Sequence, residues 1–123
     1  MTKSSLRNCR VLVIEDEFMI ADDMQRALED EGAVVIGPAP YVGKALRLLE
    51  LESHVDGAVL DVNLGSEKVF PVADALQARG VPFFFITGYD AADIPANWRH
   101  ILRLDKPVQM AMVIQALLGG GAL

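Results

Sequence analysis

Short apolar runs alternate with amphipathic stretches along the chain, and this alternation limits its possible folds more than any other feature. Runs of strand length, rich in β-branched and aromatic residues, occupy residues 10–15, 33–36, 55–61, 82–86 and 101–104. Continuous runs of this kind are typical of strands buried on both faces, and segments with helical spacing of apolar residues separate them. The sequence therefore predicts an α/β fold, a doubly wound five-stranded parallel sheet with helices on both faces.

Glycine and proline residues mark the ends of several predicted elements. Gly32 is expected to end the first helix, and Gly37-Pro38 is expected to end the second strand. A loop is predicted around residues 63–67. The third helix is expected to begin near Phe70, because Pro71 sacrifices no hydrogen bond in the first turn of a helix.

The segment after the fourth strand differs from the other helical segments. Residues 90–97 are polar and interrupted by Pro95, so the fourth helix is expected to be short or irregular. The last helix has a stronger pattern, since apolar residues recur with helical spacing from Met110 to Leu118.

Composition and charge restrict the class of protein. With 123 residues, 52% of them hydrophobic, the chain is expected to form a single domain over residues 1–123 with no output domain. The formal net charge of -6 argues against a direct nucleic-acid partner, which requires clustered Lys and Arg. No apolar run approaches the roughly 20 residues of a membrane span, and no signal-peptide pattern is present. Because the single cysteine, Cys9, cannot form an internal disulfide, we expect a cytoplasmic protein.

Polar residues stand where the predicted strands end. Glu15 and Asp16 follow the first strand, Asp61 ends the third, Thr87 follows the fourth and Lys106 follows the fifth. In doubly wound sheets ligands bind beyond the carboxyl ends of the strands, so these side chains are expected to converge. They suit phosphoryl transfer to a carboxylate, with Asp61 as the nucleophile and Thr87 as a hydrogen-bond donor to a phosphoryl oxygen.

The same carboxylates can hold a hard cation. Glu15, Asp16 and Asp61 are predicted to bind Mg²⁺, and the backbone carbonyl of Asn63 is predicted to add a ligand. The cation and the Lys106 ammonium would offset negative charge on the transferring group. Without a metal, carboxylates this close repel each other, and we expect at least one of them to have a raised pKa.

Along nearly its whole length the sequence resembles the receiver domains of bacterial two-component response regulators. The matching segments are residues 11–17 (VLVIEDE), 59–64 (VLDVNL), 86–88 (ITG) and 104–107 (LDKP). The resemblance implies a flavodoxin-like strand order 2-1-3-4-5 and a phosphorelay in which a sensor histidine kinase or a histidine phosphotransfer protein phosphorylates Asp61. It further implies an output protein as partner, and self-catalysed transfer with slow autodephosphorylation rather than enzymatic turnover. Lys106–Pro107 is, by the same resemblance, a candidate cis peptide bond.

The sequence departs from this family at one position. Receivers usually carry an aromatic residue three positions before the lysine, where this chain has Arg103. An aromatic residue occurs instead at Tyr89, and residues 84–89 resemble a subgroup of stand-alone receivers with Phe-Ala-Thr-Gly followed by an aromatic. Thr87, Tyr89 and Arg103 are therefore the candidates for the conformational switch that follows phosphorylation.

Three other functions compete with this interpretation. A phosphatase of the haloacid-dehalogenase type needs a second acid two residues after its nucleophile, where this chain has Asn63. A flavodoxin-like FMN carrier needs a hydroxyl- and glycine-rich loop after the first strand, where residues 15–17 are all acidic. A receiver-fold binding module that is never phosphorylated is the alternative that experiment has to separate, although such a module would be expected to lack an acid or the lysine.

Overall fold

A computed structural model describes residues 5–88 and 94–119. Within these ranges five strands form one parallel sheet: β1 (Arg10–Ile14), β2 (Val34–Ala39), β3 (Gly57–Asp61), β4 (Phe83–Thr87) and β5 (Arg103–Asp105). Their spatial order is β2-β1-β3-β4-β5. The predicted fold class and strand order are therefore confirmed.

Four α-helices connect and cover the strands in the described ranges: α1 (Phe18–Asp30), α2 (Val42–Leu51), α3 (Phe70–Ala78) and α4 (Met110–Leu118). Between β4 and β5 the described chain contains one 3₁₀ turn, Ala96–Trp98, which agrees with a short or irregular fourth helix; residues 89–93 lie outside the described ranges. None of the helices described is long and apolar enough to span a membrane.

Two hydrophobic clusters lie on opposite faces of the sheet because side chains alternate along each strand. On one face Leu12 and Ile14 of β1 belong to a cluster that includes residues of α2 and α3. On the other face Val11 and Val13 belong to a cluster that includes residues of α1 and α4. All four side chains are almost completely buried, as the continuous apolar run in β1 predicts for a central strand.

An aromatic group strengthens the α2–α3 face. The indole of Trp98 lies edge-on to the rings of Phe83 and Phe85, with centroid distances of 5.8 and 6.4 Å. Edge-to-face contacts of this kind are favourable for aromatic rings. They anchor the segment before β5 to the core, although it contains no regular α-helix in its described part.

The predicted end of the second strand was wrong. Strand β2 continues through Gly37 and Pro38 to Ala39, with a register irregularity opposite β1. An edge strand tolerates proline because one side of it needs no hydrogen bonds. Gly37 has φ +99°, and a Cβ there would lie 2.8 Å from the backbone nitrogen of Ala39, so glycine is required at this bend.

Two further boundaries also differ from the predictions. The predicted loop around residues 63–67 is a short antiparallel hairpin in which Asn63–Leu64 pairs with Glu67–Lys68. The fifth strand, predicted at 101–104, lies at Arg103–Asp105 instead. Both differences concern elements of two or three residues, which are too short to have a recognisable hydrophobic period.

Candidate functional site

The ends of four neighbouring strands meet at one edge of the sheet. Asp61 is the last residue of β3, which lies between β1 and β4, while Glu15 directly follows β1 and Lys106 directly follows β5. In the described part of the chain the buried polar or charged residues are Glu15, Asp61 and Thr87, each no more than 2% exposed. The sheet therefore places its buried polar groups where the sequence predicted a site.

The three predicted acidic ligands form one cluster. Glu15, Asp16 and Asp61 each offer a carboxylate oxygen, and these oxygens lie within 4.8 Å of one another. Glu15 Oε1 is buried and lies 3.2 Å from Lys106 Nζ in an ion pair, although no described residue donates a well-aligned hydrogen bond to it. Carboxylate oxygens this close together are the donor set that Mg²⁺ takes in proteins, together with water and phosphate oxygens. The residues present thus fit the predicted cation.

Lys106 supplies the opposite charge. Its Nζ donates hydrogen bonds to Asp61 Oδ2 at 3.0 Å and to Glu15 Oε2 at 3.4 Å. Burial of the ammonium disfavours its charge, but the hydrogen bond and the negative charge of Asp61, together with Glu15, outweigh that effect and raise the pKa of Lys106 above its usual value. The Lys106 backbone N–H also donates to the Thr87 carbonyl at 2.8 Å, and the Lys106–Pro107 peptide bond is cis.

Ionisation of the Glu15 carboxyl group is disfavoured. Burial, and then the hydrogen bond and the negative charge of Asp61, raise the pKa of Glu15 from 4.5 to about 8, against lowering contributions from the Glu17 backbone N–H and Lys106. This agrees with the prediction that at least one of the clustered carboxyls has a raised pKa. The cluster therefore favours any group that brings positive charge to it.

The hairpin after β3 adds contacts that sequence reasoning missed. The Asn63 backbone N–H donates to Asp61 Oδ1 at 3.2 Å, and Lys68 Nζ donates to the Asn63 side-chain oxygen. On the outer side, Glu67 Oε2 accepts a hydrogen bond of 3.0 Å from the Val42 N–H at the start of α2. Lys68 and Glu67 are exposed charges in a segment predicted to be a loop, and nothing in the sequence distinguishes them from ordinary surface residues.

An open cavity lies above these groups. Asp16, Asp61, Asn63, Gly88 and Lys106 are among the residues that line it. A phosphoryl group on Asp61 would thus have access from solvent, although the Asp61 side chain itself is only 3% exposed.

The structure describes two of the three predicted switch residues, Thr87 and Arg103. Thr87 is buried at the end of β4. The exposed Arg103 forms an ion pair with Asp105, its Nε lying 3.2 Å from the carboxylate, and it does not line the cavity. Tyr89 lies outside the described residues. The switch therefore remains a prediction.

Comparison with known proteins identifies the family. No family model matches the chain. The solution structure of SdrG from Sphingomonas melonis is similar over 94% of this chain and 96% of SdrG, with 36% identity and a TM-score of 0.78. A response regulator receiver protein from Sinorhizobium medicae, 24% identical, has the same fold over 96% of this chain and 97% of its own, with a TM-score of 0.77.

Curated relatives give the same family. The phyllosphere-induced regulator PhyR of Methylorubrum extorquens is 39% identical over 82 residues, which are 64% of this chain and 30% of PhyR. The chain likewise spans only 45% of LytT of Bacillus cereus, to which it is 32% identical over 88% of its own length. The parallel sheet, with an acidic cluster and a lysine at one edge, is the fold and site expected of a receiver domain. The chain belongs to the receiver-domain family of two-component response regulators.

Proposed function

We propose that this chain is a phosphoacceptor in a two-component phosphorelay, and that Asp61 accepts the phosphoryl group. The observation that supports this best is the 3.0 Å hydrogen bond from Lys106 Nζ to Asp61 Oδ2 inside the acidic cluster. It places the buried Asp61 carboxyl group beside a fixed positive charge, which is the arrangement that a carboxylate nucleophile needs.

The proposed step is a transfer between two phosphoryl carriers. A carboxylate oxygen of Asp61 forms a bond to phosphorus while the phosphorus–nitrogen bond of a phosphohistidine breaks, and the imidazole leaves with the electron pair. Lys106 offsets charge on the phosphoryl oxygens, and Thr87 donates a hydrogen bond to one of them. Glu15, Asp16, Asp61 and the backbone carbonyl of Asn63 would hold Mg²⁺, which when bound neutralises charge on the transferring group.

We propose a sensor histidine kinase or a histidine phosphotransfer protein as the donor, and a protein as the receiver of the signal. Phosphorylation replaces the single negative charge of the Asp61 carboxylate by a phosphoryl group that carries roughly 1.5 to 2 negative charges. This favours conformations in which Thr87 and the segment after it approach the phosphoryl group. The chain is expected to accept one phosphoryl group and to lose it slowly, without turnover of a substrate. That residues 1–123 form one receiver domain, and that the protein is cytoplasmic, remain proposals.

Phosphorylation with acetyl phosphate or a histidine kinase in the presence of Mg²⁺ tests the proposal. Intact mass should increase by one phosphoryl group per chain, and the increase should disappear in Asp61→Asn and when the metal is chelated. Asp74→Asn, an exposed acid on α3, is a matched control and should be phosphorylated normally. If neither donor changes the mass of the wild-type protein, the phosphoacceptor role is wrong and a receiver-fold binding module that is not phosphorylated becomes the better interpretation.

A further inference from the structure

The hairpin after β3 holds the Asn63 side chain beside the proposed phosphorylation site. Asn63 and Lys68 face each other directly across this two-stranded hairpin. The backbone register itself therefore brings the Lys68 ammonium to the Asn63 side chain, where Nζ donates a hydrogen bond to Oδ1. Residues directly opposite each other in an antiparallel pair lie within reach of such contacts.

This contact determines which way the Asn63 amide is turned. An ammonium can only donate hydrogen bonds, whereas an amide side chain has one accepting oxygen and one donating nitrogen. The atom that meets Lys68 must therefore be Oδ1, and Nδ2 is forced to the other side. Lys68 does not line the cavity above Asp61, whereas Asn63 does.

The remaining amide nitrogen has no partner in the described part of the chain. Asn63 Nδ2 is buried and makes no hydrogen bond there. Buried donors are normally satisfied, and each exception calls for an explanation. A phosphoryl oxygen on Asp61 is a fitting acceptor, because the Asn63 backbone N–H already contacts the Asp61 carboxylate at 3.2 Å.

We propose that Lys68 is a positioning residue that prolongs the lifetime of the phosphoryl group on Asp61 by keeping the Asn63 amide oxygen away from the site. This inference rests on the proposed function. In hydrolysis a water oxygen forms a bond to phosphorus, the bond from phosphorus to the Asp61 oxygen breaks, and dihydrogen phosphate leaves with both water protons. An acceptor near the attacking water would orient it, and Nδ2 cannot accept. With Lys68 in place, the side of Asn63 away from it presents only a donor.

Loss of the Lys68 ammonium allows the Asn63 side-chain amide to rotate by half a turn, so that Oδ1 and Nδ2 exchange places. Oδ1 then becomes available to accept a hydrogen bond from the attacking water, and hydrolysis accelerates. Because one hydrogen bond is at stake, the expected acceleration is roughly three- to tenfold. Formation of the acyl phosphate is expected to change little, since Lys106 and the acidic cluster are untouched.

The test loads the protein with acetyl phosphate and Mg²⁺, removes the donor and follows the loss of the phosphoryl group by intact mass. Lys68→Met should lose it roughly three to ten times faster than wild type, and Lys68→Arg, which keeps a cationic donor, should behave like wild type. Lys44→Met removes an equal charge from an exposed position on α2 and should have no effect.

A double variant separates orientation of the amide from loss of charge. If Lys68 acts through Asn63, then Asn63→Ala with Lys68→Met should lose the phosphoryl group at the same rate as Asn63→Ala alone. An equal acceleration by Lys68→Met in both backgrounds, or an unchanged lifetime in Lys68→Met, would overturn the inference. Failure of the wild-type protein to gain a phosphoryl group would instead overturn the proposed function. Since Lys68 is exposed, equal thermal unfolding of the variants establishes that each is folded.

Discussion

Replacement of Glu15 by glutamine should stabilise the metal-free protein at neutral pH. The Glu15 side chain is fully buried, and its pKa is raised from 4.5 to about 8 by burial and by Asp61. Between pH 4.5 and about 8, the Glu15 carboxyl group is therefore more often protonated in the folded protein than in the unfolded protein. Stability must therefore fall as the pH rises from about 4.5 to about 8.

The loss of unfolding free energy can be worked out from the pH interval between the unfolded-state and folded-state pKa values of Glu15. Each pKa unit corresponds to about 1.4 kcal/mol, so the interval from 4.5 up to pH 7 amounts to a destabilisation on the order of 3 kcal/mol. Glutamine has a similar shape, stays neutral and keeps an oxygen for the Glu17 N–H and Lys106. Glu15→Gln should recover most of this free energy at pH 7 and very little at pH 5.

Urea unfolding in the presence of a chelator, repeated from pH 5 to pH 8, measures this difference. Because unfolding of a small domain depends on urea by about 1–3 kcal/mol per molar, the midpoint at pH 7 should move upward by about 1–3 M. Glu50→Gln, an exposed glutamate on α2, is the matched control and should shift it by very little. If the curves of wild type and Glu15→Gln run parallel from pH 5 to pH 8, the argument from burial and like charge is refuted.

Three further perturbations test separate parts of the structure. Lys106→Met removes the cation beside Asp61 and should lower the stability of the metal-free protein by about 1–3 kcal/mol. It should also tighten Mg²⁺ binding in a calorimetric titration, and weaker binding would contradict the proposed competition between the ammonium and the metal. Glu67→Ala removes the acceptor from the first amide of α2 and should cost about 1 kcal/mol, with faster hydrogen exchange at Val42; unchanged exchange would mean that the contact contributes nothing. Trp98→Ala removes two edge-on ring contacts and should cost about 3–5 kcal/mol in urea unfolding, and a loss under 1 kcal/mol would show that the turn before β5 is not anchored by its indole.

The sheet could be predicted from the sequence because its central strands are buried on both faces. Val11 to Ile14 and Phe83 to Ile86 are continuous apolar runs, and burial leaves such residues few alternatives to a strand between helical layers. Edge and connecting elements have no such constraint. Proline at position 38 would end an interior strand, but β2 lies at the sheet edge, and which strand lies at an edge is a property of the whole fold.

The acidic cluster and Lys106 could be predicted for a related reason. Parallel strands all end at the same edge of the sheet, so residues far apart in sequence, such as Glu15 and Lys106, are brought together by topology alone. The residue types alone also indicate a Mg²⁺ site, since few side chains other than Asp and Glu bind Mg²⁺. How strongly burial disfavours the charge on Glu15 was not predictable, because it depends on the packing around one carboxylate.

Lys68 shows where this kind of prediction stops. Its contact with Asn63 depends on a hairpin of two residue pairs, and a pattern that short cannot be separated from an irregular loop by periodicity. The residue is also exposed and charged, which is the commonest state of a lysine. What distinguishes Lys68 is a consequence of geometry: its ammonium fixes the orientation of the Asn63 amide, whose nitrogen is buried and has no partner among the residues described. Members of a family that share the acids and the lysine are then expected to differ in phosphoryl lifetime because of residues like Lys68. Such residues contact the site only through a neighbouring side chain.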